Sequence, residues 1–183
     1  MNVRPVRIYG DPVLRLRAVE VTSFDEELRR LVADMFETMQ AYRGVGLAAN
    51  QVGVAQRVAI VDVPIDDERR AVHTLVNPEI LSRSGSESGE EGCLSIPGMY
   101  DDVTRSLEIH VRAYDEHGKA YEIDAEGYLA RAIQHEIDHL DGVLFVDRLS
   151  PLKRQFLRRA LEALARGEMP DGYEPPTRAG ESI

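Results

Sequence analysis

A single cysteine, Cys93, stands in 183 residues, so no disulfide can form within the chain and a four-cysteine metal site is excluded. No stretch approaches the roughly 18 consecutive apolar residues that a membrane-crossing helix needs. The opening residues Met1-Asn2-Val3-Arg4-Pro5 lack the apolar centre of a secretory signal and the Arg- and Ser-rich character of a transit peptide. The expectation is a bacterial protein of a reducing cytoplasm. No internal repeat is visible. Positive charge is in deficit, 22 Lys and Arg against 32 Asp and Glu for a net charge of −10, which argues against a general nucleic-acid coat but leaves room for a local basic patch. What is present, 43% hydrophobic and 30% charged residues, is the composition of a soluble globular chain, long enough for one domain with a substantial core.

Residues 1–22 read as an extended lead-in with turns at Pro5 and Gly10-Asp11-Pro12. A helix is expected from Phe24 to Tyr42: Ser23 and Glu26 have the spacing of a capping box, Leu28, Leu31, Val32, Met35 and Met39 share one face, and Gly44 ends it. Strands are expected over Arg57–Val63 and His73–Asn77. Leu107, Ile109, Val111 and Ala113 alternate with polar residues, and after the turn Glu116-His117-Gly118-Lys119 the alternation resumes at Tyr121 and Ile123, which predicts a hairpin. Two helices follow, from Glu126 to Leu140 with a stop near Gly142, and from Ser150-Pro151 to Gly167. Strands grouped between helices predict an α+β fold with mostly antiparallel sheets. The expected domain is 1–167, followed by a disordered, acidic, proline-containing tail over 168–183.

Chemistry concentrates in His135-Glu136-Ile137-Asp138-His139, an H-E-x-x-H sequence within a predicted helix. With about 3.6 residues per turn, His135 and His139 stack on one face within reach of a single cation, and Glu136 lies about 100° round, near enough to touch a water beside it. The plain alternative is two surface histidines one turn apart. His73, His110 and His117 read as ordinary strand or turn residues. A catalytic site of this kind takes a third protein ligand. Glu162 would make a metallo-endopeptidase of the His-His-Glu type. Cys93 competes with it from the turn-rich segment Gly89–Gly98, although a lone cysteine is commonly a small buried hydrophobe. Gly44-Val45-Gly46-Leu47-Ala48-Ala49 fits G-x-G-x-x-A, but it follows a helix and leads to a strand, the reverse of the dinucleotide-binding context. Its glycines instead suit close approach of a ligand backbone, with Gln51 as a polar group facing the same cleft.

Together, Gly44–Gln51, Glu91-Gly92-Cys93-Leu94-Ser95 and Gln134-His135-Glu136-Ile137-Asp138-His139 resemble the three signature motifs of peptide deformylases, in the same order, within a likeness spanning about residues 3–165. The continuation Ile96-Pro97-Gly98-Met99-Tyr100 is similar to the bacterial and organellar subgroup. The resemblance implies a hydrolase that removes the N-formyl group from the formylmethionine of new polypeptides, releasing formate. It implies Cys93, His135 and His139 as ligands of one Fe²⁺, for which Zn²⁺, Ni²⁺ or Co²⁺ can substitute. Glu136 is then the proton carrier, and the Leu94 N–H with the Gln51 amide holds the developing oxyanion. An extended substrate is expected beside Val45-Gly46 and Gly98, with Ala132 forming part of the methionine pocket, Tyr128 and Val45 nearby, and Gly92 also binding substrate. No DNA or membrane partner is implied.

The last helix adds an independent signal. From Ser150 to Gly167 there are five basic residues and one acid, a local charge of +4 in a protein of −10. Arg154, Arg158, Arg159 and Arg166 are expected opposite Phe156, Leu157, Ala160 and Leu164. Such a face is either simply solvated or a dock for ribosomal RNA over 151–166.

Overall fold

The computed structural model describes residues 2–176. Three helices, α1 (Glu26–Ala41), α2 (Gly127–Leu140) and α3 (Pro151–Ala165), accompany seven strands: β1 (Gly46–Ala48), β2 (Val58–Pro64), β3 (Arg70–Ser84), β4 (Glu87–Cys93), β5 (Ile96–Arg105), β6 (Glu108–Tyr114) and β7 (Ala120–Glu126). Five strands form one sheet in the order β1-β2-β3-β6-β7, every pair antiparallel, and β4 with β5 forms a separate antiparallel hairpin. The fold is α+β, as the grouping of elements predicts.

Alternation along β2 distributes the core between the two faces of the large sheet. Ala59, Val61 and Val63 pack with Ile133, Ile137 and Leu140 of α2. Val58 and Ile60 pack with Leu31, Met35 and Met39 of α1 on the opposite face. A third cluster gathers Leu14, Ile96, Val103, Phe145, Leu161 and Leu164, which seats α3 and β5 against the lead-in segment. Strand β2 is therefore buried on both sides, and α2 packs across β1 and β2.

Several expectations need correction at element ends. Helix α1 starts two residues late, because Asp25, not Ser23, is the cap: its Oδ1 accepts from the Glu27 and Leu28 N–H groups at 3.0 and 3.1 Å, while the Ser23 hydroxyl donates to Asp25. Its end is turned by Arg43 at φ 56°, one residue before Gly44. Strand β3 runs far beyond Asn77, which takes φ 50° at a break in register and clasps the lead-in by bonding both backbone groups of Val21. The segment around Gly89–Gly98 is not a turn-rich loop. It is the β4–β5 hairpin, closed by the two-residue turn Leu94-Ser95. On α3, Leu161 and Leu164 are buried, whereas Phe156 is 78% exposed and Leu152 63%. The apolar stripe thus lies one residue round from the expected face, since Phe156 points to solvent. Residues 168–176, expected as part of a disordered tail, run without regular structure, and residues 177–183 lie outside the described part of the chain.

Candidate metal centre and catalytic cleft

Three elements converge on one cleft of about 690 Å³: α2, the segment leading into β1, and the β4–β5 hairpin. From α2 come His135 and His139, spaced one turn apart, and Glu136 beside His135. Cys93 ends β4, where the tight turn swings its sulfur toward them. The Cys93 Sγ lies 3.2 Å from His139 Nε2, which is 3.2 Å from His135 Nε2. The ligand atoms of these three residues all lie within 4.8 Å of one another. Donor pairs in a tetrahedral site with Zn–N bonds of about 2.0–2.1 Å are separated by about 3.3 Å, so the spacing fits one divalent cation. Three electron-pair donors gathered so closely gain nothing from one another, and a cation satisfies all of them at once. Glu162 does not join this group; it is exposed on α3 and pairs with Arg158 at 3.1 Å.

A buried charge network holds the histidines in register. Glu91 of β4 accepts from His135 Nδ1–H at 3.0 Å, which fixes the tautomer and leaves Nε2 as the donor toward the cleft. The same carboxylate receives both arms of the Arg105 guanidinium, at 2.7 and 2.9 Å, and Arg131 at 2.8 Å. Arg131 also donates to the carbonyls of Val103 and Glu87, which ties α2 to both strands of the hairpin. Arg105 reaches on to Asp138, itself bonded by Arg148. Burial alone would raise the Glu91 carboxyl, but hydrogen bonds from Arg105 and His135 hold it down at about 2. Sequence reasoning gave roles to none of Glu91, Arg105 and Asp138. The available signal was Glu91 itself, a carboxylate two residues before Cys93.

Glu136 stands in a different environment. Only 4% exposed, its Oε2 has no hydrogen-bond partner among the described residues. Burial pushes the carboxyl up to about 7, partly offset by His135. An unpartnered buried carboxylate at the floor of a cleft is a group arranged to exchange a proton with whatever enters. Gln51 is held firmly: its Oε1 accepts from the Ala48 N–H at 2.9 Å, and its amide NH₂ points at Ser95 Oγ (3.1 Å) and Cys93 Sγ (3.5 Å). Gly44, Val45, Gly46, Gly92, Leu94, Gly98, Tyr128 and Ala132 all line the cleft, so every residue expected to bind substrate is brought there.

Gly46 is required by space. A Cβ there would fall 2.3 Å from Glu136 Oε1. Gly46→Ala is therefore expected to displace that carboxylate and lower turnover by about 10²-fold with metal content retained; parallel metal analysis and activity measurement check this, and full activity would show that Glu136 tolerates the shift.

Comparison with known proteins points to one family. The family model for polypeptide deformylase matches residues 3–155. The peptide deformylase of Alkalilimnicola ehrlichii is 52% identical over 166 residues, covering 91% of this chain and 93% of its own. The crystal structure of a peptide deformylase from Legionella pneumophila superposes with a TM-score of 0.82 at 48% identity, covering 92% of this chain and 99% of that one. That of the Ehrlichia chaffeensis peptide deformylase in complex with actinonin gives 0.85 at 40% identity, covering 93% and 100%.

Proposed function

The chain belongs to the peptide deformylase family, and from that premise we propose how its residues divide the work of removing the N-formyl group from newly made polypeptides. The chain is a hydrolase of protein biosynthesis: water cleaves the formamide, giving formate and a free α-amine. The convergence of Cys93, His135 and His139 beside the unpartnered carboxylate of Glu136 carries the assignment of roles.

Cys93, His135 and His139 hold one metal ion, Fe²⁺ in our reading, with Zn²⁺, Ni²⁺ and Co²⁺ as substitutes suited to a thiolate and two imidazoles. When bound, such a cation acidifies water and polarises the formyl carbonyl. Glu136 takes a proton from the attacking water and passes it to the nitrogen of the leaving amine, so the carboxylate ends as it began. The Leu94 N–H and the Gln51 NH₂ donate to the carbonyl oxygen as it gains negative charge, each such donor being worth about 2.7–4 kcal/mol of barrier. The peptide lies extended between the backbone at Val45-Gly46 and that at Gly98, with the methionine side chain among Val45, Gly92, Tyr128 and Ala132. A reducing cytoplasm suits a site that depends on the Cys93 thiolate; among the described residues no helix is long and apolar enough to cross a membrane.

The test is formate release from formyl-Met-Ala-Ser by protein loaded with Fe²⁺ without oxygen. Rapid release with intact peptide bonds is expected, and Cys93→Ala should lose both metal and activity. Cleavage within longer peptides by a Cys93→Ala variant that keeps its metal would instead favour an endopeptidase. For the cellular setting, helix 151–166 docks on ribosomal RNA in our reading, supported by the exposed side chains of Arg154, Arg158 and Arg159. Arg154→Glu with Arg158→Glu should abolish salt-sensitive ribosome binding while tripeptide turnover persists; unchanged affinity would end that idea.

A further inference from the structure

After α3 the chain turns at Gly167, which has φ 84°, and heads back to the catalytic cleft. The Pro170 ring lies over Gly98: a Cβ built on that glycine would be 3.1 Å from Pro170 Cγ. A turn follows, in which the Tyr173 N–H donates to the Pro170 carbonyl at 3.0 Å. Tyr173 is half-buried and, with Glu174 and Pro176, lines the same cleft as Gly46, Cys93 and Glu136. Tyr42 lines the same cleft opposite, and burial first, with the neighbouring Tyr42 phenol second, pushes the Tyr173 phenol above its ordinary value. The segment therefore bridges two rims, that of β5 at Gly98 and that of the α1 end at Tyr42.

Two features argue that the segment is a wall and not a plug. Pro170 occupies the face of Gly98 from which a side chain would project, and a substrate strand pairs through the edge, along the backbone N–H and C=O directions. The cleft also keeps about 690 Å³ with the segment in place, well within the range of small-ligand sites. The matched family region ends at residue 155, so this wall is built from chain beyond it.

We propose that residues 170–176 form the outer wall of the substrate cleft, with the Tyr173 ring packing against the residues that follow the formylmethionine. This rests on the substrate path proposed above. An aromatic side chain held by a turn offers a large apolar contact at small entropic cost, suited to substrates that vary in sequence after the first residue.

The experiment compares the full chain, chains ending at Gly167 and at Pro176, and Tyr173→Ala, with formate release measured on formyl-Met-Ala-Ser and on formylmethionine amide. The Gly167-ended chain and Tyr173→Ala should raise KM for the tripeptide about five- to tenfold with kcat retained, and should treat the amide as the full chain does. The Pro176-ended chain should match the full chain on both substrates. An unaltered KM, an equal change on both substrates, a lowered KM for the tripeptide, or a loss already complete in the Pro176-ended chain would each overturn the proposal. Failure of the full chain to release formate from either substrate would instead strike the functional assignment on which the proposal rests.

Discussion

Replacing Glu136 by Gln should lower formate release by about 10²–10⁴-fold while the protein purifies with its metal. The substitution preserves shape, and the group of converging metal donors contains Cys93, His135 and His139 but not Glu136. What it removes is the ability to accept a proton at a carboxylate whose Oε2 is buried without a partner. The two neighbouring buried carboxylates are committed elsewhere: Glu91 is engaged by Arg105, Arg131 and His135, and Asp138 by Arg105 and Arg148. Metal analysis alongside single-turnover formate release checks both halves. Turnover within tenfold of the original chain would take Glu136 out of the proton path.

Glu91→Ala is expected to be the most damaging single change to stability, at about 3–5 kcal/mol, because it strips one carboxylate from two buried guanidiniums and an imidazole N–H. His135 would lose the acceptor that orients its ring, and metal affinity should fall by about 10–100-fold. The pH dependence has a definite sign. The folded-state value of about 2 lies below the ordinary 4.5, so the stabilisation from Glu91 is complete above about pH 4.5 and is lost as pH falls toward 2. The difference corresponds to about 3 kcal/mol. Denaturant unfolding of metal-free protein at pH 7 and at pH 3 tests this: the gap between the original chain and Glu91→Ala should be large at pH 7 and narrower at pH 3. A gap equal at both would show that the carboxylate charge is not what holds the hairpin to α2.

Much of this was legible in the residues because it is local. The faces of α1 and α2, the β6–β7 hairpin and the Ser150 cap of α3 each follow from spacings within a dozen or so residues, and the structure places them within a residue or two of expectation. The pairing of His135 with His139 is equally local, being one turn of one helix. The β4–β5 hairpin was hidden for a physical reason. Its inward-facing groups include Glu91 and Arg105 beside a few apolar residues, so no sustained apolar alternation marks it, and these charges are satisfied by the Glu91–Arg105 pair across the hairpin and the Glu91–Arg131 pair to α2. Phe156 misled in the opposite sense, an aromatic at helical spacing that stays in solvent.

By itself, then, the sequence determined the three helices, the strands β2, β6 and β7, the early part of β3, and the three motifs whose order carries the family resemblance, since these depend on short-range periodicity and residue identity. Tertiary structure alone decided three further matters. Cys93, 46 positions from His139, completes the donor set in place of Glu162 because a two-residue turn aims it at α2. The Glu91 carboxyl is held below its ordinary value and that of Glu136 pushed above it, because one lies among guanidiniums and the other is buried with an unpartnered Oε2. Residues 170–176 lie along the cleft because α3 ends where the following chain can reach Gly98. Each of these is a meeting of residues far apart in the chain, and no local spacing encodes such a meeting.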